Sequence, residues 1–198
     1  METRRRRRKD GGSDQRVVCM SEPLSIRQQL DSVIAPLVGM PLWDAGRAAD
    51  LLWLAFGQRQ TIKDFRGKRR EVGEYALHVQ CAWRFVQDEK VVAGNRDLYY
   101  PRGYKNAKDE IPKGFNWDMQ GANRCDEMLA EFFANGAKQF VVQRAEVRQA
   151  GELALLLESG LSLQIFPNDS LEGEHWRLFR PGSDEPHSVY TGKGFERH

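Results

Sequence analysis

Apolar and polar residues alternate most cleanly between residues 75 and 86. Tyr75, Leu77, Val79, Cys81, Trp83 and Phe85 take every second position, and Ala76, His78, Gln80, Ala82 and Arg84 take the others. Successive strand side chains point to opposite faces. The segment is therefore expected to be one strand with an apolar face and a small or polar face. Gln87-Asp88-Glu89-Lys90 suits a turn, and Val91 to Tyr100 a returning strand bulged at Gly94. Leu153, Leu155 and Leu157 alternate in the same way, as do Leu161, Leu163 and Ile165. The short Glu158-Ser159-Gly160 link predicts that these two strands form a hairpin. Phe140–Val147, Trp176–Phe179 and Ser188–Tyr190 complete the expected strands.

Residues 44–57 carry two signals. Asp44 and Gly57 suit the ends of a helix, yet Leu51 to Phe56 is an apolar run without a helical stripe. The favoured expectation is a strand that turns at Gly57-Gln58 and pairs with the following QRQTIKDF.

Helical spacing recurs in two places. Ile26, Leu30, Val33, Ile34 and Leu37 predict a helix over 22–35, with Ser25 and Gln28 at capping-box spacing and Pro36 limiting its end. Met128, Leu129, Phe132 and Phe133 predict a second, with Asn123 as N-cap, Asp126 and Glu127 in the first turn and Gly136 after its end. Between the strands and this helix, residues 101–121 have turn composition and predict a long loop. Helices scattered among short-linked strands give an α+β fold, mainly antiparallel β-sheet in hairpins and meanders with two short helices. A weak internal echo, Gly73-Glu74-Tyr75-Ala76-Leu77 against Gly151-Glu152-Leu153-Ala154-Leu155, is explained by strand composition as well as by duplication.

Charge divides the chain. The first 19 residues hold seven basic and three acidic groups out of totals of 30 and 28, which leaves the rest at net −2. The body thus has no bias toward nucleic acid. Residues 1–20 are expected to be a disordered basic tail, and 21–198 a single domain. The tail is either an inert extension ahead of a start at Met20, or an arm for nucleic-acid binding or targeting. No apolar run reaches the roughly 18–20 residues that cross a membrane, and no such run follows the arginines as in a signal peptide. Cys19, Cys81 and Cys125 are odd in number and widely spaced, which suits free thiols in a reducing, cytoplasmic setting.

Candidate chemistry is sparse. The chain has no glycine-rich nucleotide fingerprint, no P-loop, no zinc spacing and no nucleophile elbow. No cofactor, metal or catalytic residue is therefore assigned. Two polar regions stand out as ligand-binding candidates. One is His78, Gln80 and Arg84 on the polar face of the 75–86 strand, which would line a pocket if the 101–121 loop covered that face. The other is the segment 169–187 with Asp169, Glu174, His175, Arg177 and His187. Glu174 and His175 are adjacent and would point to opposite faces of a strand. Solvated sheet surface and an ordinary Arg–carboxylate pair are the plainer explanations of both regions. Cys125, near a helix N-terminus, is placed where a thiolate is favoured. Tyr99, Tyr100 and Tyr104 beside Arg102 and Lys105 offer aromatic and basic groups of the kind that stack on nucleobases.

GEYALHVQCAWRF, LQIFPNDSLEGEHWRLFRPGSDEPH and the helix between them resemble an uncharacterised family of small bacterial proteins, over residues 40–195 approximately. The resemblance carries no motif with a mechanism. Small α+β proteins of this size include immunity proteins, which bind and block a toxin. The expectation from sequence is thus a non-catalytic binding protein with a protein partner. The alternatives are a small-molecule-binding protein or enzyme using one of the two polar regions, or nucleic-acid binding through the arginine tail.

Overall fold

A computed structural model describes residues 24–64, 66–106, 108–133 and 140–198. The basic tail and Gly136 lie outside the described residues. Helix α1 (Ile26–Ile34) starts at the Ser25 cap, later than the expected residue 22. The Gln28 amide donates to Ser25 Oγ at 3.3 Å, and the Ser25 amide donates to Gln28 Oε1 at 2.9 Å. Its buried stripe, Leu30, Val33 and Ile34, faces the core.

Strands β1 (Pro41–Ala48) and β2 (Leu51–Phe56) form a hairpin, β3 (Gln60–Lys63) and β4 (Arg69–Val72) a second, and β5 (Tyr75–Val79), β6 (Ala82–Gln87) and β7 (Lys90–Gly94) follow. Helix α2 (Arg124–Phe133) then precedes β8 (Phe140–Val147), β9 (Leu153–Leu157), β10 (Ser162–Phe166), β11 (Glu174–Phe179), β12 (Ser188–Thr191) and β13 (Gly194–Arg197). The fold is α+β, and every strand pair is antiparallel. No helix among the described residues is long and apolar enough to cross a membrane.

The main sheet has the order β13-β12-β11-β5-β2-β1-β8-β9-β10-β6-β7. Only Gln80 and Cys81 separate β5 from β6, so the two are halves of one bent chain segment. β5 pairs with β2, and β6 pairs with β10. The run β5-β2-β1-β8-β9-β10-β6 therefore returns to its own starting segment and closes a ring. Leu42, Leu54, Phe56, Leu77, Val79, Phe85, Val142, Leu155, Leu157, Leu163 and Ile165 fill it, each at most 1% exposed. β11, β12 and β13 extend the sheet outward from β5, and β7 extends it from β6. Helix α1 packs on β8, and α2 on β1 and β7.

Three expectations are corrected. The 75–86 segment bends at Gln80–Cys81 instead of running straight, although its apolar face stays inside throughout. The strand at 51–56 pairs with 41–48 through a turn at Ala49–Asp50, and 60–63 pairs with 69–72. Residues 60–63 are largely exposed, so no apolar face holds them to the ring. Residues 91–100 form a strand only to Gly94; a 3-10 turn, Asn95–Tyr99, follows. The register slips between Phe85 and Val86, leaving Val92 as the extra residue rather than Gly94.

The long loop is also placed differently. It packs beside α2 and the β1–β2 turn, and the cleft around His78 is lined by none of its residues. Arg47 Nε and Nη2 donate to the two Asp126 oxygens at 2.7 and 2.9 Å, and Nη2 also donates to the Met119 carbonyl at 3.0 Å. Asn123 caps α2 by accepting from the Asp126 amide at 2.8 Å, and its own amide donates to the Trp117 carbonyl at 2.7 Å.

Candidate functional site

Among the described residues the β3–β4 hairpin pairs with no other strand. It leaves the ring between Phe56 and Tyr75, which form the last rung of the β2–β5 ladder. Gly57 and Gly73 make this departure feasible. Gly57 has φ +76°, and a Cβ on Gly73 would lie 2.6 Å from the Phe56 carbonyl oxygen. From there the hairpin covers the outer face of the sheet. Arg70, Glu71 and Val72 of β4 form the roof of a cleft of about 460 Å³. Its floor is the outer face of β1, β2, β5 and β11, lined by Trp43, Trp53, Ala55, Ala76, His78 and Phe179.

Strand register explains this floor. Side chains of the β2 residues Leu52, Leu54 and Phe56 enter the ring, so Leu51, Trp53 and Ala55 face outward. His78 stands opposite Trp53 on one side and Arg177 on the other. Trp53 stands opposite Gly46, and a Cβ there would come within 2.5 Å of its ring. The missing side chain lets the indole lie against β1. Trp43 sits in a bulge, where the register shifts between Leu42 and Asp44. The extra residue lets both Trp43 and Asp44 line the cleft.

The two polar regions singled out in the sequence meet on this face. His78 packs edge-on against Phe179 with centroids 4.9 Å apart, and Phe179 stacks on His187 at 4.5 Å. Arg177 Nε donates to Glu174 Oε1 at 2.8 Å, and its Nη2 donates to Glu174 Oε2. Arg177 Nη1 lies 3.3 Å from His187 Nδ1. Arginine has no acceptor, so Nδ1 must accept, and a neutral His187 carries its proton on Nε2. Burial, followed by the Arg177 charge, lowers the affinity of both His78 and His187 for a proton. Both rings are thus held toward the neutral form. The Asp44 carboxyl is pushed above its ordinary value by burial, against the pull of the Ala45 amide and of Arg59.

The remaining sequence candidates stand apart. Gln80 is exposed at the bend, where its amide donates to the His175 carbonyl at 2.8 Å. Arg84 is on β6, bonded to Gln164 at 2.8 Å and 5.1 Å from the Phe166 ring. Asp169 accepts from the Leu171 amide at 2.9 Å in a loop. His175 points inward, is 2% exposed, and its Nε2 has no partner. Cys81 is a core residue, as its place in the alternation suggests. Cys125 is buried as well, and burial pushes both thiols up to about 12. For Cys125 burial outweighs the favourable helix terminus, and Asp126 adds to the rise. Tyr100 and Tyr104 stack on each other at 5.5 Å, and Tyr99 packs on Trp117 at 5.7 Å. No group of three or more His, Cys, Asp and Glu among the described residues is arranged to hold a metal.

Sequence reasoning found His78 but missed Trp43, Asp44, Trp53, Arg70 and Phe179. For Trp53 a signal was present. It occupies the outward phase of an otherwise inward apolar run. For Trp43 and Arg70 there was none, because a bulge and a non-local hairpin place them. No family model matches the chain, and no curated protein or solved structure gives a significant match.

Proposed function

We propose that this protein binds a small, largely aromatic molecule in the cleft beneath the β3–β4 hairpin. The observation that carries the reading is a cleft of about 460 Å³ floored by Trp43, Trp53, His78 and Phe179 and roofed by a hairpin that, among the described residues, pairs with no other strand. Small-molecule sites commonly enclose about 300–1,000 Å³, with aromatic walls and a few polar groups. The lining is mostly aromatic and apolar, with Asp44, Arg70, Glu71 and His78 as its ionisable groups, which suits holding a flat molecule in one orientation. Titration with the neutral fluorophore N-phenyl-1-naphthylamine tests the reading. Saturable binding at one site per chain is expected, weakened at least about tenfold by Trp53→Ala with circular dichroism unchanged. Failure to saturate, or equal affinity in a folded Trp53→Ala variant, would overturn it.

A second reading, a protein partner as for an immunity-like protein, draws on a different surface. Ile111, Met119 and Tyr99 are 44%, 60% and 46% exposed in and beside the long loop. Exposed apolar side chains of this kind are available to a partner contact. Co-purification of a partner that is lost with Met119→Asp, but kept with Trp53→Ala, would favour this surface over the cleft.

A further inference from the structure

The cleft is lined by four ionisable residues, Asp44, Arg70, Glu71 and His78. They are not spread evenly. The charges that act on Asp44 are those of Arg59 and Glu71. Arg59 and Glu71 pair with each other at 3.6 Å, and the Arg59 guanidinium lies 4.4 Å over the Trp43 ring. They offset one another. Asp44 makes no ion pair among the described residues and is left as the uncompensated negative charge at the Trp43 end.

The charges that act on His78 are those of Arg177, Glu174, Arg70 and His187. Arg177 and Glu174 are bound to each other. The Arg70 side chain makes no hydrogen bond or ion pair among the described residues, so it is the uncompensated positive charge at the His78 end. Register fixes how far apart these ends are. Asp44 stands opposite Ala55, Ala55 opposite Ala76, and His78 lies two residues further along β5. Two strand spacings across and two residues along place the two Cα atoms about 12 Å apart. A single benzene ring with a charged group at each end spans that gap once the side chains reach toward it. Trp53 stands on the strand between the two ends, beside His78, and Phe179 closes the far side of His78 from β11.

We infer that the cleft selects a flat aromatic molecule carrying a cationic group at one end, for Asp44, and an anionic group at the other, for Arg70 and His78. This inference rests on the cleft being the binding site. A matched series of probes tests it: 4-(aminomethyl)benzoate carries both charges, 4-methylbenzoate only the anion, and 4-methylbenzylamine only the cation. Each is measured by its displacement of N-phenyl-1-naphthylamine. The doubly charged probe is expected to bind about two- to fivefold tighter than either single-charge probe, the gain of one partly exposed ion contact. Asp44→Asn should erase its advantage over 4-methylbenzoate, and Arg70→Gln its advantage over 4-methylbenzylamine. Three equal affinities in the unaltered protein would overturn the inference, as would advantages that survive in the folded variants. If the fluorophore binds but the three probes rank alike, the cleft stands and its two-ended preference falls. If the fluorophore itself does not bind, the cleft reading falls as well.

Discussion

Replacing Gly46 by alanine tests how the cleft floor is built. The added Cβ would lie 2.5 Å from Trp53 Cζ2 and 2.8 Å from Cε2. Carbon atoms rest about 3.5–4.0 Å apart, so the indole must retreat by about 1 Å. The group in the way is a rigid ring, and it cannot move aside as a flexible chain end would. Overpacking of this kind costs about 1–3 kcal/mol. Removing a glycine from a strand returns about 0.5–1 kcal/mol. A net destabilisation of about 1–2 kcal/mol is therefore expected in urea denaturation, together with weaker binding of N-phenyl-1-naphthylamine. The cause is isolated by a double-mutant cycle with Trp53→Leu. Once Trp53 is gone, Gly46→Ala should become neutral or stabilising, which gives a coupling above about 0.5 kcal/mol. Additive effects with unchanged probe affinity would refute the proposal that Gly46 exists to seat Trp53.

Three further outcomes follow from other parts of the fold. Arg47→Ala strands the Asp126 carboxylate, which is 11% exposed in its side chain, and should cost about 3–5 kcal/mol in urea denaturation; a loss below about 1 kcal/mol would contradict this. His78 and His187 hold protons less tightly in the fold than at the ordinary imidazole value of 6.5. The unfolded chain therefore takes up protons first, and this contribution to stability is present above 6.5 and lost as pH falls through it. The urea midpoint should drop less between pH 7.5 and 5.5 in the His78→Gln and His187→Gln variants than in the unaltered protein. Finally, Cys81 and Cys125 are buried with thiols pushed up to about 12, so they should react with a disulfide reagent only in denaturant; alkylation at native pH 8 followed by mass mapping would show it.

The sequence made local structure legible and left non-local pairing obscure. The Ser25–Gln28 capping box, the Asn123 cap and the alternation in 153–165 depend on neighbouring residues and appear as expected. Alternation in 75–86 reported correctly which side chains face the core, but a period of two is blind to a bend. The inward face stays inward as the chain passes from β5 to β6 around the ring. β13 went unread because Gly194-Phe195-Glu196-Arg197 has no buried phase of its own. At the site, His78 was visible as a polar residue opposite an apolar face. Its partners were not, since Phe179 comes from β11 and His187 from the residue before β12, and no local pattern encodes the order of those strands. The two polar regions looked like alternatives in the sequence because about 100 residues separate them. The pairing of β5 with β11 makes them neighbours.

The hairpin that roofs the cleft stands outside the ring's economy of hydrogen bonds. Phe56 and Tyr75 already face each other across the last rung of the β2–β5 ladder. Everything between them is an insertion at a point where a tight turn would serve the ladder equally well. Residues 57–74 can therefore change in length and chemistry without asking the core to rearrange. Arg70 and Glu71, which set the character of the roof, belong to this replaceable part, whereas Trp53 and His78 belong to the permanent one. The molecule thus separates what makes it fold from part of what it recognises, and a graft of 57–74 offers a direct route to altering its selectivity while keeping the same scaffold.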